Sequence, residues 1–344
     1  MQKSKIQRLK RIVGWVPQSI HLKAWGSPVG DDIRVASSEH AISLLAGTQH
    51  ISVCICTYKR PQFLKPLLEK LSEQDTGGLF SFSIVVADND CLESAKALVT
   101  EFAGTSSILI TYCVEPQQNI ALARNKAIGN CVGDFVAFID DDEFPTPCWL
   151  QTLFKACHEY GADGALGPVK PFFDPEAPEW IIKSGLYDRP SYPTGLVIDG
   201  RKGRTGNVVL KREIFRATEQ WFRPEFRTGE DQDFFTRMIE RGHVFVWCNE
   251  AVAYEVVPPI RWNRKFLLKR ALLRGTNSLA QPNSKVLDVT KSIVAVPVYI
   301  LALPLMLILG QDRFITYLVK LFDHLGKLLA LVGINPIKDS YVTE

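Results

Sequence analysis

A chain of 344 residues, 46% of them hydrophobic, has room for one large catalytic domain with appendages at both ends. Its net charge of +3 is too small to mark a nucleic-acid-binding protein, and no nucleic-acid partner is expected. Eight cysteines without a CxxC pair exclude a disulfide framework or a zinc site and predict the reduced, buried thiols of a cytosolic protein.

The chain opens on a basic arm, residues 1–50. Lys3, Lys5, Arg8, Lys10, Arg11 and Lys23 precede the first acid, Asp31. Such an arm is attracted to anionic surfaces, and it lacks the apolar core of a secretory signal. From residue 51, short runs rich in Val and Ile alternate with amphipathic stretches. Strands are predicted at 51–56, 82–87, 108–114 and 135–139, and helices at 61–74, 92–102, 120–130 and 149–160. That alternation predicts an α/β fold, with a mostly parallel sheet flanked by helices. Ligands in such sheets bind beyond the carboxyl ends of the strands.

Residues 167–206, rich in Pro and Gly, read as long loops around a site. A strand at 207–210, a helix at 231–241 and a strand at 244–248 follow. Residues 292–310 carry no charge. As a helix they would be about 28 Å long, barely enough to cross a bilayer, and Pro297 and Pro304 are expected to break the run. Residues 314–332 have apolar positions at helical spacing opposite Lys320, Asp323, His324 and Lys327. Together they are expected to form a membrane-embedded or re-entrant hairpin; a helical subdomain packed on the catalytic core is the alternative.

Four constellations carry chemistry. Asp140, Asp141, Asp142 and Glu143 follow the fourth strand, where gathered acids repel one another unless a cation is shared. Oxygen ligands there suit Mg²⁺ or Mn²⁺ holding a diphosphate. Asp88-Asn89-Asp90 ends the second strand, placed for hydrogen bonds from a nucleobase or ribose, although Asp-Asn is also an ordinary turn former. Thr57-Tyr58-Lys59-Arg60-Pro61 joins the first strand to a helix and is either an anion-binding helix start or a simple cap. Gly229-Glu230-Asp231-Gln232-Asp233 opens a helix, so its acids serve as dipole partners or supply a general base.

These segments, with Gln118 to Asn125 and Thr205-Gly206-Asn207-Val208, resemble the inverting family 2 glycosyltransferases with the GT-A fold. Order and spacing fit from residue 51 to 279. The segments around Asn119 and Asp140 are further similar to bacterial exopolysaccharide transferases of the succinoglycan ExoM type. The resemblance implies a catalytic domain at 51–280, with a nucleotide-binding half at 51–145 and an acceptor half at 146–280. A membrane-associated segment at 285–344 follows. Thr57, Asp88 and Asp140 would contact base and ribose, with Arg60, Asn119, Arg124, Asn125 and Asp141 also lining the nucleotide-sugar. Asp142, with Asp140, would hold the divalent metal. Asp231 would be the catalytic base, with Glu230 beside it at the acceptor.

The Gln-x-x-Arg-Trp signature of the processive members is absent, which implies addition of a single sugar. Some relatives place a metal-binding His where this chain has Tyr254-Glu255. Arg270 and Arg274, with Lys269, stand on a helix either facing diphosphate or anionic lipid or simply solvated. The expected enzyme uses a nucleotide-sugar, a UDP-sugar by preference, and a lipid-linked acceptor. It would work as a peripheral or monotopic protein on the cytoplasmic face of the inner membrane. A sugar-phosphate nucleotidyltransferase is the alternative within enzymes, but it needs a Gly-rich loop where residues 56–61 have no glycine. A non-catalytic nucleotide-sugar-binding module is the alternative outside them.

Overall fold

The computed structural model describes residues 33–35, 48–217, 221–226, 229–279 and 286–334. The six cations of the basic arm lie outside the described residues. In chain order the principal elements begin with Ile33–Val35 (β1), Gln49–Thr57 (β2), Pro61–Ser72 (α1), Phe80–Asp88 (β3), Lys96–Thr105 (α2) and Ile110–Val114 (β4). Ile120–Gly129 (α3), Phe135–Ile139 (β5), Trp149–Glu159 (α4), Gly164–Leu166 (β6), Glu179–Lys183 (α5) and Asn207–Lys211 (β7) follow. The chain continues through Glu230–Glu240 (α6), Phe245–Trp247 (β8), Arg264–Leu279 (α7), Val286–Leu309 (α8) and Gln311–Leu331 (α9).

The chain divides into two compact units, residues 1–169 with 190–254, and residues 170–189 with 255–344. Relative to the 51–280 span read from the sequence, Lys170–Arg189 and the chain from Glu255 group with the C-terminal helices.

The first unit is built on an eight-stranded sheet in the order β1-β4-β3-β2-β5-β7-β6-β8. Only β1 and β7 run against the other strands, so the sheet is mostly parallel, as expected. Parallel strands are covered on both faces, and β2 shows how one strand serves two cores. Ile51, Val53 and Ile55 pack with Leu64, Leu67, Leu68 and Leu71 of α1 and with Trp149 and Leu153 of α4. Cys54 faces the other side, with Ala121 and Ala127 of α3 and Phe234, Phe235 and Met238 of α6. The two-residue period of a strand makes that division. No cysteine is in a disulfide, in keeping with their reading as thiols, but Cys91 and Cys148 are exposed and not buried as expected; Cys54 and Cys131 meet at 3.2 Å between sulfurs without a covalent bond.

One helix differs from its expected position. The stretch 92–102 was to be helical, but α2 starts at Lys96. Glu93 sits in the left-handed region at φ 56°, and Ala95 N–H is drawn to Asp88 Oδ2 at 2.8 Å, so the chain turns before it coils.

The second unit gathers α5, α7 and α9 around a core of Ala177, Ile181, Tyr187, Val257, Leu267, Ala271, Ile315 and Val319. α7 and α9 approach closely at two glycines. A Cβ on Gly275 would fall 2.1 Å from the Asp323 carbonyl oxygen, and one on Gly326 2.4 Å from that of Leu272. Glu255 is held by Arg189 and, at 2.9 Å, by Arg261. The expected break at Pro297 and Pro304 does not occur: α8 runs through both as one helix of 24 residues. Each proline removes one backbone donor, but the two stand seven residues apart on the exposed side of the helix, where no packed neighbour is displaced.

Candidate active site

The site lies at the carboxyl ends of the adjacent strands β3, β2 and β5. Thr57, last residue of β2, is in register with Asp88, last residue of β3. β5 ends at Ile139, so the next residues, Asp140 to Glu143, leave the sheet beside them. β7 pairs antiparallel with β5, Asn207 opposite Ile139, which brings Gly206 against the acidic loop. A Cβ at Gly206 would stand 2.8 Å from Glu143 Oε1 and 3.0 Å from Asp140 Oδ2. Only glycine lets the loop and β7 lie this close.

The four acids are treated differently. Asp141 turns inward, 1% exposed, and accepts a hydrogen bond from Thr57 Oγ1 at 2.7 Å. Arg60 meets it at 2.8 Å and Asp142 at 3.2 Å, so the cation foreseen for an outside anion is spent on the loop itself. Burial pushes the Asp141 carboxyl up to about 7; Arg60 opposes this, and the neighbouring charge of Asp142 adds to it. Asp140 is the most open of the group, its side chain 43% exposed, with Arg124 at 3.9 Å. Asp140 and Asp142 are thus the two carboxylates of the loop placed nearest solvent, while Asp141 serves the fold.

Arg124 is the hub. It sits on the buried face of α3 with Ala121, Ala127 and Ile128, its side chain 9% exposed. Its guanidinium pairs with Glu230 at the start of α6, reaches toward Asp140, and lies 5.5 Å above the Phe222 ring. Burial works against this cation, but Glu230 and Asp140 raise its pKa above the ordinary arginine value, and Asp231 adds to them. One side chain therefore ties the acidic loop to the helix start that carries the candidate base.

The first turn of α6 holds Glu230, Asp231 and Asp233, after Gly229 in the left-handed conformation at φ 84°. Glu230 is committed to Arg124, and Asp233 to Arg223 at 3.4 Å and Arg237 at 2.8 Å. Asp231 stands apart. Among the described residues its carboxylate accepts only from its neighbour, the Gln232 N–H, at 2.8 Å.

Three expected donor contacts are occupied by the protein itself. Asp88 is fully buried and accepts from Ala95 N–H, Tyr112 Oη–H and Asp90 N–H, at 2.8, 2.9 and 3.1 Å. Burial raises its pKa in spite of these donors. Asn119 caps α3, accepting from Ala121 and Leu122 N–H and donating to the Pro224 carbonyl. Asn125 exchanges both of its amide hydrogen bonds with the Phe222 backbone. These three shape the rim rather than offer open polar atoms. No local sequence pattern announces the Arg124–Glu230 pair. The sequence marks only its first member, an arginine at i+3 from Ala121 and i−3 from Ala127, in the apolar stripe of a helix.

Removing one partner of a buried ion pair strands the other charge and costs about 3–5 kcal/mol. Arg124→Met should accordingly lower unfolding stability by that amount, and Glu230→Gln added to it should restore a large part. Urea denaturation reads both. A single variant within about 1 kcal/mol of the parent would mean that the pair does not hold α6 in place.

Among the described residues no three His, Cys, Asp or Glu side chains form a metal-binding group. Asp140 and Asp142 supply two oxygen donors, which fits Mg²⁺ or Mn²⁺ bound largely through substrate phosphates and water.

The family model described as glycosyl transferase family 2 matches residues 52–243. The chain is 35% identical over 231 residues to the succinoglycan biosynthesis protein ExoM of Rhizobium meliloti, covering 66% of this chain and 74% of that one. It is 24% identical over 246 residues to chondroitin synthase of Escherichia coli, covering 62% of this chain but only 35% of that one. Among solved structures, the mannosyltransferase PcManGT from Pyrobaculum calidifontis, in complex with GDP-Man and Mn²⁺, is similar in fold. The TM-score is 0.57 at 16% identity, over 83% of this chain and 88% of that one.

Proposed function

The chain belongs to glycosyl transferase family 2 and is a glycosyltransferase, and from its site we propose a metal-dependent, inverting enzyme that adds one sugar from a nucleotide-sugar to a lipid-linked or polysaccharide-precursor acceptor. The observation that carries this reading is the single carboxylate left open at the start of α6. Glu230 and Asp233 are each taken by arginine and Asp231 is not, while Arg124 links that helix start to Asp140. Asp231 takes the proton from the acceptor hydroxyl as its oxygen attacks the anomeric carbon. The bond from that carbon to the diphosphate oxygen breaks on the opposite side, so configuration inverts. Asp140 and Asp142 are the residues that would hold Mg²⁺ or Mn²⁺. When bound, such a metal stabilises negative charge on the leaving diphosphate. Arg124 keeps Asp140 and the start of α6 in fixed relation.

A UDP-sugar is the proposed donor. ExoM is a protein of succinoglycan biosynthesis, which supports an acceptor that is an intermediate in building a polysaccharide. Work at the cytoplasmic face of the inner membrane is proposed on the apolar helix α8, where an 18-residue stretch within Val289–Leu309 has a mean hydropathy of 2.5 and is 6% buried.

The test is a panel of UDP- and GDP-sugars with Mn²⁺ and the full-length protein, read first by thermal stabilisation. A ligand at 100 times its Kd adds about 2.7 kcal/mol. The stabilising donor, given a lipid-linked acceptor, should release nucleoside diphosphate and yield a product of inverted anomeric configuration. Formation of nucleotide-sugar from nucleoside triphosphate and sugar phosphate would instead favour the nucleotidyltransferase. Donor binding without transfer or hydrolysis would favour a silent module.

A further inference from the structure

We infer that α8 lies in the plane of the membrane surface, sunk into one leaflet, and does not cross the bilayer; this rests on the membrane reading above. By length alone α8 is ambiguous. Its 24 residues make about 36 Å of helix, enough to span. The decision comes from what it is fastened to.

α8 packs antiparallel on α9. Ser292 Oγ lies 2.9 Å from His324 Nδ1, and the Tyr299 ring meets Tyr317 at 5.4 Å. Along the same stretch α9 is bound, on its other side, to elements that carry solvent-facing charge. Near its start Ile315 and Val319 enter the core formed with Ile181 and Leu267, and Thr316 Oγ1 donates to the Ser184 carbonyl just after α5. α5 exposes Glu179 and Lys183, 83% and 64% accessible. Past its middle Asp323 pairs with Arg274 of α7, itself 59% accessible, and Gly326 packs on Leu272. Charged surface therefore flanks the helix pair within its length and not only at its ends. Standing α8 upright would carry Glu179, Lys183 and Arg274 to hydrocarbon depth, where charged side chains are strongly disfavoured.

Lying flat removes that cost. α8 turns a narrow stripe that includes Ser292 and Tyr299 toward α9, and the opposite side is apolar and open: Val294, Val298, Leu301, Leu305 and Ile308 are 54–83% accessible. α9 takes the place of the polar face of an ordinary interfacial helix.

The test measures depth. Full-length protein carrying Cys91→Ser and Cys148→Ser receives one spin label at a time through Val294→Cys, Leu301→Cys or Ile308→Cys. It is bound to vesicles of phosphatidylcholine and phosphatidylglycerol. The three positions are seven residues apart on one face, so in an upright helix their depths would step by about 10 Å. Power saturation against oxygen and a water-soluble nickel chelate should instead place all three at one shallow depth. Depths that rise steadily from Val294 to Ile308 would overturn the in-plane assignment and leave the membrane reading standing. Labels that stay in water at all three positions would overturn both.

Discussion

Asp142→Asn should reduce turnover by roughly 10³-fold or more, equivalent to about 4 kcal/mol of transition-state stabilisation, with the protein still folded. The charge on Asp142 is one of the causes that push Asp141 upward, so the substitution relieves a like-charge repulsion inside the loop. It also weakens the hold of Arg60 on the loop, but Arg60 keeps Asp141 at 2.8 Å. The net effect on unfolding free energy should be small, and the Mn²⁺-dependent part of nucleotide binding should weaken. Isothermal titration with UDP, with and without Mn²⁺, separates this from a general loss of affinity. Two results would count against the assignment: Mn²⁺-dependent binding at the parent level in the variant, or undiminished turnover by the parent in excess chelator.

The strand ends were legible because two signals coincide there. Val- and Ile-rich runs such as 51–56 and 135–139 stop at Thr57 and Asp140, and polar residues packed at the end of a buried strand have few purposes besides binding. Side-chain commitments were not legible. Asp88 and Asp140 look equivalent in sequence, each the first acid after an apolar run, yet three donors enclose Asp88 while Asp140 stays 43% exposed. Tyr112 and Ala95, which supply two of those donors, lie 24 and 7 residues away, and nothing local announces that they converge. Asn119 and Asn125 have the same history. The Pro224 and Phe222 backbone groups that engage them come from a loop about a hundred residues further on.

The C-terminal helices show the same division. The apolar run and the amphipathic period at 314–332 were plain in the sequence, and α8 and α9 follow them. Proline propensity argued for a break, but an exposed face with no packing partner absorbs the loss of two hydrogen bonds, and the helix runs on. What periodicity does not carry is the partner of each face. α9 reads as one amphipathic helix, whereas its apolar residues serve two neighbours, α8 on one side and α7 with α5 on the other.

Asp231→Asn should lower turnover by roughly 10²–10⁴ while donor affinity stays at the parent value. The asparagine keeps an acceptor for the Gln232 N–H, the bond Asp231 makes at 2.8 Å. Losing a first-turn charge from the helix start costs only about 0.3–1 kcal/mol of stability, so the protein should fold. The neighbouring acids give the control. Glu230→Gln loosens the Arg124 pair and Asp233→Asn the Arg223 and Arg237 pairs. Both should show in unfolding before they show in chemistry per folded molecule. Measuring kcat, donor affinity and urea stability for the three variants side by side separates a group that moves a proton from groups that hold a helix. If Asp231→Asn retains full turnover per folded molecule and loses only stability, Asp231 is a dipole partner of α6 and the base lies elsewhere.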